Sequence, residues 1–385
     1  MSGGPGAVAA SSGAASPGAP SGASSSVAGA SSGAAGASSG AAGASSSGAA
    51  GASSSGVVVR VGTRASELAR TQTGHVTDAL GAAASAAGTP LTLETVHVTT
   101  EGDTTRASLA QLGGTGVFVA ALRDALLDGR IDVAVHSLKD LPTAPAAGLT
   151  VAAMPRRESP LDALVARDGL TLATLPRGAR VGTGSPRRRA QLLAARPDLD
   201  VVDIRGNVGT RVARALGPDA DLDAVVLAAA GLARIGRTAL VTEVLDPSVM
   251  LPAPGQGVLA VETRAGALVP GLDALDHLPS RLAATAERAL LARLEAGCAA
   301  PVGALAAVTV EGVGADARLR IDLDVVVASL DGTRVLRHGA SSSGPVVVPG
   351  SAYDVPEAVE RAESLGINLA EIVLEMGAAD IAPLR

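Results

Sequence analysis

Short β-branched segments that end in polar loops recur along the chain, and this pattern constrains the fold more than any other feature. Residues 131–135 alternate β-branched with small or polar residues, which predicts a short buried strand that ends near His136. Ser137, Lys139 and Asp140 follow it directly. In an open α/β sheet the ligand crevice lies beyond the carboxyl ends of the strands. We therefore expect these three side chains to face a ligand.

The same succession of strand, polar loop and helix occurs before and after this segment. Strands are predicted over residues 57–61, 91–99, 163–165, 201–204 and 223–228, and helices over 67–84, 117–127, 281–296 and 356–376. Gly297 stands where the helix 281–296 needs its C-terminal cap. The alternation predicts an α/β architecture up to the crossover segment at 251–262, followed by a small α+β domain over about 304–385.

The composition restricts both the cores and the partners. Hydrophobic residues make up 47% of the 385 residues, but there is one Phe, one Tyr and no Trp. The cores must therefore be aliphatic, and no aromatic platform for single-stranded nucleic acid is available. The net charge of -6 argues against a nucleic-acid-binding or membrane-surface protein. A single cysteine excludes an internal disulfide.

Residues 1–56 are almost entirely Ala, Gly and Ser in near-repeats. Such a composition buries too little apolar surface to offset chain entropy, so we expect a disordered tail followed by a folded part that begins at Val57. Neither a signal peptide nor an apolar run long enough to cross a membrane is recognisable. The expectation is a cytoplasmic monomer.

Arginines gather in one segment of this acidic chain. Nine arginines but only three aspartates lie between Arg177 and Arg214. Arginines follow predicted strand ends in both halves, at Arg64, Arg187, Arg188, Arg205, Arg211 and Arg234. Guanidinium groups match carboxylates in geometry, and no P-loop sequence is present, so the predicted ligand is a polycarboxylate or a polyphosphate. The glycine-rich segment 101–116 is predicted to be a mobile loop that closes over the site.

Two residues with reactive side chains stand apart from the arginines. Cys298 follows the helix that ends near Gly297, and it is either a nucleophile in a loop or a small buried apolar residue. His136 has no second histidine at a metal-ligand spacing, so we predict no metal site. Lys139 is the single lysine of the chain, which indicates a position that requires a compact point charge.

Taken together, these motifs resemble the porphobilinogen deaminase (hydroxymethylbilane synthase) family of tetrapyrrole biosynthesis. The matching stretches, in chain order, are VGTRASELA, GGTGVFV, AVHSLKDLP, VGTGSPRRRAQL, RGNVGTR, LAAAGLAR, LPAPGQG and EAGCAAPVG. They extend from about residue 58 to 303, and the N-terminal tail lies outside them.

The resemblance implies an α/β fold with two periplasmic-binding-protein-like domains and a small C-terminal α+β domain. The first would contain residues 57–153 and about 254–275, the second 154–253, and the third about 278–385. It also implies a dipyrromethane cofactor attached to Cys298 through a thioether. Four porphobilinogen units would be added to it in turn with loss of ammonia, and hydrolysis would release hydroxymethylbilane.

The resemblance further implies roles for individual residues. Asp140 matches the catalytic aspartate. The positions implied to bind the cofactor are Cys298, Asp140, Lys139, Ser137, Arg187, Arg188, Arg205, Thr183 and Ser185, and those implied to bind substrate are Arg64, Ser66, Arg211, Arg234, Gln256 and Phe118. This agrees with the arginine pattern, because each pyrrole carries an acetate and a propionate.

One departure from the family pattern concerns the glycine-rich segment. It has Gln111 and Thr115 where many relatives have lysine, so carboxylate binding by lysine is not expected there. The alternative function is that of a two-lobed anion-binding protein without catalysis, which would have no use for Cys298. A nucleic-acid-binding function disagrees with the acidity and the missing aromatics.

Overall fold

The computed structural model describes residues 56–99, 116–297, 300–312, 318–345 and 355–384. Apart from Gly56 and Gly116, the predicted tail 1–56 and the glycine-rich segment 101–116 lie outside this part of the chain. Cys298 lies outside it as well. The backbone of Phe118 belongs to a described helix, but its side chain is outside the description.

The first sheet combines the N-terminal strands with one strand from much later in the chain. Its strands are β1 (Val57–Thr63), β2 (Leu91–His97), β3 (Val133–Ser137), β4 (Leu149–Ala153) and β10 (Leu259–Arg264). Their order is β2-β1-β3-β10-β4, with β1 parallel to β2 and β3 and with β10 antiparallel to both of its neighbours. Helices α1 (Glu67–Ala86) and α2 (Gly116–Leu127) pack on this sheet. The parallel strands β1 and β3 therefore direct their carboxyl ends to one edge.

The second sheet has the same arrangement. Its strands are β5 (Asp162–Ala166), β6 (Arg180–Gly182), β7 (Asp200–Val202), β8 (Ala224–Ala228) and β9 (Glu243–Val244). Their order is β7-β6-β8-β5-β9, with β6 parallel to β7 and β8 and with β5 antiparallel to both of its neighbours. Helices α3 (Pro186–Ala195), α4 (Val208–Leu216) and α5 (Ala229–Arg234) follow β6, β7 and β8. In both sheets the fourth strand in this order is antiparallel to its neighbours. It is β10 in the first sheet and β5 in the second, and each is the first strand after the chain crosses from the other sheet.

Two crossover segments join the sheets, and they touch each other. Glu158 on the outward segment donates its backbone N–H to the carbonyl oxygen of Gly257 on the return segment, at 3.2 Å. Gly257 has a φ of +89°, and a Cβ atom there would lie 2.4 Å from the carbonyl oxygen of Glu158. Only glycine fits both the left-handed backbone and this close approach. The crossovers therefore form one narrow junction.

A third unit follows the return crossover. Strands β11 (Val302–Glu311), β12 (Arg318–Ala328) and β13 (Val335–Pro345) form an antiparallel sheet, which packs with helices α6 (Leu278–Arg293), α7 (Val355–Glu375) and α8 (Ala378–Ile381). All of the described cores consist of Leu, Val, Ile, Ala and Met. The predicted class, two α/β units and a small α+β unit with aliphatic cores, is confirmed.

One predicted helix boundary is wrong. The helix expected over 281–296 with Gly297 as its cap is α6, which ends at Arg293 with Leu294 as its C-cap. Glu295 then takes the left-handed backbone, with a φ of +51°. At its other end α6 begins earlier, since His277 caps it by accepting a hydrogen bond from the backbone N–H of Ser280 at Nδ1. The end of α6 therefore lies further from Cys298 in sequence than expected.

Candidate active site

The loop after β3 lies at the edge where the two sheets meet. The chain leaves β3 at Ser137 and forms a single 3-10 turn over Leu138–Asp140. Leu138 is completely buried and donates its backbone N–H to the carbonyl oxygen of Val258 on the return crossover, at 3.0 Å. This anchor leaves the flanking side chains of Lys139 and Asp140 half-buried. The Asp140 carboxylate accepts no hydrogen bond from another described residue.

The third unit holds the far end of the same loop. Arg288 of α6 donates from Nη1 to the carbonyl oxygen of Leu141 at 3.0 Å and from Nη2 to that of Pro142 at 2.6 Å. The loop is therefore fixed on one side by the return crossover and on the other by α6. The position of Asp140 depends on both contacts.

The Lys139 ammonium faces the second sheet. Its Nζ lies 3.3 Å from Oε1 of Gln256. Burial and the nearby Arg188 guanidinium lower the pKa of Lys139 to about 8, although Asp140 and Asp162 oppose the shift. With a pKa of about 8, the Lys139 ammonium is protonated at neutral pH.

The turn between β6 and α3 carries the two adjacent arginines. Ser185 is the N-cap of α3 and accepts the backbone N–H of Arg188 at 3.4 Å, while Thr183 Oγ1 accepts the backbone N–H of Ser185 at 3.2 Å. These hydroxyls shape the turn, and each retains its proton for a further hydrogen bond. Arg187 and Arg188 then occupy the first turn of α3 and are buried, with exposed fractions of 3% and 5%.

A buried carboxylate, Asp162, pairs with both arginines. Its Oδ2 lies 2.7 Å from Nη1 of Arg187, and its Oδ1 lies 2.8 Å from Nη2 of Arg188. Burial alone would raise the pKa of Asp162, but the two guanidinium groups hold it far below its usual range. Asp162 is therefore ionised throughout the range in which the protein works.

Gln256 joins the Asp162 cluster to the first sheet. Its Nε2 donates to Asp162 Oδ1 at 2.8 Å and to the carbonyl oxygen of Pro160 at 2.7 Å, while Oε1 faces Lys139. The side chain is completely buried. Gln256 was expected to bind substrate, and its amide is engaged by protein groups on both sides.

Two further predicted arginines, Arg211 and Arg205, differ in the partners of their guanidinium groups. Arg211 donates from Nε to the carbonyl oxygen of Gly206 at 2.8 Å, and burial together with the charges of Arg188 and Arg205 lowers its pKa. The Nε of Arg205 is buried without a hydrogen-bond partner, and the nearest carboxylate is that of Asp203, at 3.6 Å. Unpaired donors on clustered guanidinium groups fit a ligand that carries several carboxylates.

Other predicted residues lie at the rim or at the junction of the lobes. Arg234 donates from Nη2 to the carbonyl oxygen of Gly257 at 2.7 Å, so it contacts the crossover. Arg64 lies half-buried directly after β1. Ser66 caps α1 by accepting the backbone N–H of Ala69 at 3.3 Å.

Ser137 contacts a residue that the sequence did not single out. Gln72 of α1 donates from Nε2 to the Ser137 hydroxyl at 3.0 Å, and it is 5% exposed. The sequence signal that could have identified Gln72 is a glutamine on the buried face of an amphipathic helix. Asp162 had a similar signal, since it is a lone carboxylate at the start of an apolar strand.

A second buried carboxylate lies behind β3. Glu262 of β10 accepts from Nη2 of Arg123 at 2.9 Å, and its Oε2 lies 3.3 Å from Nε2 of His136. Burial alone would raise the pKa of Glu262, but the hydrogen bonds from His136 and Arg123 lower it. His136 is thus part of the support beneath the loop.

Comparisons with known proteins identify the family. Residues 59–268 match the family described as "Porphobilinogen deaminase, dipyromethane cofactor binding domain", and residues 281–375 match "Porphobilinogen deaminase, C-terminal domain". The porphobilinogen deaminase of Cutibacterium acnes is 53% identical over 85% of this chain and 97% of its own length. That of Micrococcus luteus is 51% identical over 84% of this chain and 94% of its own length.

The chain belongs to the porphobilinogen deaminase family, and the resemblance inferred from its motifs is confirmed. The family members are transferases of tetrapyrrole biosynthesis that act on porphobilinogen. No helix in the described part of the chain is long and apolar enough to cross a membrane. Within the same residues, no three His, Cys, Asp or Glu side chains are grouped as metal ligands.

Proposed function

We propose that the cleft between the two sheets extends a pyrrole chain on a dipyrromethane group bound covalently to Cys298. Porphobilinogen units are joined head to tail with loss of ammonia, and hydrolysis releases hydroxymethylbilane. The observation that carries the proposal is the half-buried Asp140 carboxylate, which accepts no hydrogen bond from a described residue although the cations of Lys139 and Arg211 lie near it. Such a carboxylate is available to a cation that develops on a substrate.

The residues that would hold the dipyrromethane carboxylates are those with donors left over. Arg205 and Arg211 have unpaired guanidinium nitrogens, and Lys139 has an ammonium with two further donors. Arg187 and Arg188 add positive potential, although their own hydrogen bonds are directed to Asp162 and to backbone carbonyls. Bound in this way, dipyrromethane supplies the pyrrole carbon to which new units are added.

Asp140 acts on the step in which ammonia leaves. An ordinary aliphatic amine has a pKa of about 10, so the aminomethyl group of porphobilinogen is protonated at neutral pH. The carbon–nitrogen bond breaks, the electron pair leaves with nitrogen as ammonia, and the positive charge remains on the pyrrole. The Asp140 carboxylate stabilises this charge, and the arginines hold the acetate and propionate groups so that the pyrrole nitrogen faces Asp140.

We propose that the three sheets belong to three domains, with residues 57–153 and about 254–275 in the first, 154–253 in the second and about 278–385 in the third. The first two would enclose the cleft, and the third would carry Cys298, which follows α6 in the sequence. The proposed enzyme is a cytoplasmic monomer, in agreement with its small-molecule substrate.

The first experiment is a denaturing mass measurement of the full chain, with peptide mapping. A mass excess equal to two linked porphobilinogen-derived pyrroles on the Cys298 peptide is expected, and Cys298→Ser should lack it. An unmodified Cys298 that also stays unmodified after porphobilinogen is added would indicate an anion-binding protein without catalysis.

The second experiment assigns the role of Asp140. Asp140→Asn keeps the shape but removes the charge, so turnover of porphobilinogen should fall by at least about 100-fold, while the mass excess on Cys298 is retained. Near-normal turnover in this variant would refute the role of Asp140.

A further inference from the structure

We propose that Asp162 is the positioning residue that couples the two halves of the active site, by holding Arg187 and Arg188 directly and Lys139 through Gln256. This inference rests on the proposed function, because it concerns how the carboxylate-binding groups are arranged. Asp162 is not among the site residues expected from the sequence, and it does not face the substrate.

The geometry at Asp162 uses both of its oxygens. Oδ1 accepts hydrogen bonds from Nε of Arg188 at 3.0 Å, from its Nη2 at 2.8 Å and from Nε2 of Gln256 at 2.8 Å. Oδ2 lies 2.7 Å from Nη1 of Arg187. The carboxylate is completely buried, so no water competes for these contacts. A single rigid anion therefore fixes three side chains.

The two arginines need such an anion. Their other contacts are neutral backbone carbonyls, since Arg187 Nη1 donates to Leu251 at 2.6 Å and Arg188 Nη1 donates to Val226 at 3.0 Å. Adjacent buried guanidinium groups repel each other, and burial lowers the pKa of Arg187. Without the negative charge of Asp162, their present positions on the first turn of α3 would be strongly disfavoured.

The connection to Lys139 follows from the orientation of the Gln256 amide. The carbonyl oxygen of Pro160 and Asp162 Oδ1 are both acceptors, so the NH₂ group of Gln256 must face them. The amide oxygen is then directed at Lys139 Nζ. Asp162 starts β5 of the second sheet, and Lys139 follows β3 of the first. The hydrogen bonds thus cross the junction between the sheets.

The same arrangement affects the charge of Lys139. The charged groups that act on its ammonium are Arg188 and Arg187, which lower its pKa, and Asp140 and Asp162, which raise it. When the Asp162 charge is removed, it no longer offsets the effect of the two arginines on the pKa of Lys139. Lys139 should then lose its proton at a lower pH.

The single lysine of the chain makes this measurable without an activity assay. Holoenzyme grown with lysine labelled with carbon-13 at Cε gives one lysine signal in the NMR spectrum, and its titration reports Lys139 directly. In Asp162→Asn the midpoint should move down by at least about half a pH unit. The matched control is Asp198→Asn, which removes a carboxylate of the second-sheet unit that pairs with Arg196, the C-cap residue of α3, at 2.8 Å. Its Lys139 midpoint should equal that of the wild type.

Kinetics test the positioning itself. Asp162→Asn should lower kcat/KM by about 100-fold, mainly through KM for porphobilinogen, whereas Asp198→Asn should not change it. Asp162→Glu keeps the charge that offsets the two guanidinium groups, but its longer side chain displaces them. It should keep the Lys139 midpoint within about 0.2 pH units of the wild type and still lower kcat/KM by about tenfold.

A merely structural role predicts a different outcome. Asp162→Asn would then lower the unfolding midpoint but leave both the Lys139 titration and KM at wild-type values, and that result would overturn the inference. Wild-type kcat/KM in Asp162→Glu would overturn it too, even if Asp162→Asn does not fold. Failure of the wild type to consume porphobilinogen would refute the proposed function instead, and the NMR titration would still test the link from Asp162 to Lys139.

Discussion

Two buried carboxylates, Asp162 and Glu287, lie on opposite sides of the crossover junction and have different partners. Asp162 contacts Arg187 and Arg188 of α3 and Gln256 of the return crossover, and Gln256 in turn contacts Lys139 after β3. Glu287 of α6 is also completely buried and pairs with Arg157 of the outward crossover, at 2.6 Å. Its other hydrogen bonds come from the backbone N–H groups of Gly255, at 2.6 Å, and Ala306, at 2.8 Å.

The different partners indicate different roles, because Asp162 arranges side chains of the site and Glu287 holds elements of the fold together. Glu287 joins three elements, namely both crossovers and β11, and none of its partners is among the residues predicted to bind the cofactor or the substrate. Gln256 links the two clusters, because its backbone carbonyl accepts from Nε of Arg157 at 2.9 Å and its side chain contacts Asp162. We therefore expect Glu287 to determine stability, and Asp162 to determine the properties of the cleft.

The largest effect should come from Glu287→Ala. It leaves the half-buried Arg157 guanidinium without its anion and two backbone N–H groups without acceptors, so the free energy of unfolding should fall by about 3–5 kcal/mol. Urea unfolding of the holoenzyme measures this loss. The Lys139 titration of the folded fraction should stay at its wild-type midpoint.

The matched control removes an exposed partner at the end of the same helix. Glu371→Ala breaks the ion pair with Arg293 of α6, where the side chains are 46% and 40% exposed. The cost should be below about 1 kcal/mol. The distinction between the two clusters is lost if Glu287→Ala lowers the free energy of unfolding no more than Glu371→Ala does. It is also lost if Glu287→Ala shifts the Lys139 titration midpoint as strongly as Asp162→Asn does.

Local sequence patterns predict the elements that carry the site, but not their long-range partners. The strand before Lys139 and the helix starts at Ser66 and Ser185 follow from period-two alternation and from capping residues. The predicted strand at 201–204 is shorter, Asp200–Val202, because Ile204 turns inward to fill the space beside Gly182 and Gly184. The shift of α6 follows from Pro279 in its first turn, a start signal that the leucine spacing concealed.

The buried carboxylates could not be paired from the sequence. Asp162 lies 26 residues from Arg188, and Glu287 lies 130 residues from Arg157, so only the folded chain brings these groups together. Each carboxylate interrupts an apolar pattern, which signals a buried ion but does not identify its partner. The roles of Arg187 and Gln256 were inferred from family motifs, and the contacts at Asp162 explain why they have so few donors left for a ligand.

An intermediate effect should come from Gly332, in the turn between β12 and β13. Its φ is +73°, and a Cβ atom there would lie 2.5 Å from the backbone nitrogen of Ala194 in α3. Gly332→Ala should therefore push the third unit away from the helix that carries Arg187 and Arg188, lower stability by about 1–3 kcal/mol and raise KM. Calorimetry and steady-state kinetics measure the two effects.

Gly178→Ala is the control for this turn. Gly178 has a φ of +74°, but a Cβ atom there meets nothing within 4 Å, so its substitution carries the backbone strain alone. A larger loss of stability in Gly332→Ala than in Gly178→Ala, together with a higher KM, would show that the third unit supports the helix that carries Arg187 and Arg188. Equal losses of stability with an unchanged KM would contradict this.

The smallest effect at neutral pH, and the most specific, concerns the proton on Lys139. Burial and Arg188 lower its pKa to about 8, so the ammonium is present below that pH and is lost as the pH rises through it. The neutral amine cannot attract a carboxylate, and kcat/KM should fall by up to about tenfold per pH unit above about 8.

Lys139→Arg keeps its charge at these pH values and should abolish this limb of the profile, whatever its effect on the maximum. Glu287→Ala should retain the limb at the wild-type pH and Asp162→Asn should move it to lower pH, because Asp162, unlike Glu287, is among the charged groups that act on the Lys139 ammonium. A limb that stays in place in all three variants would assign it to a group other than Lys139.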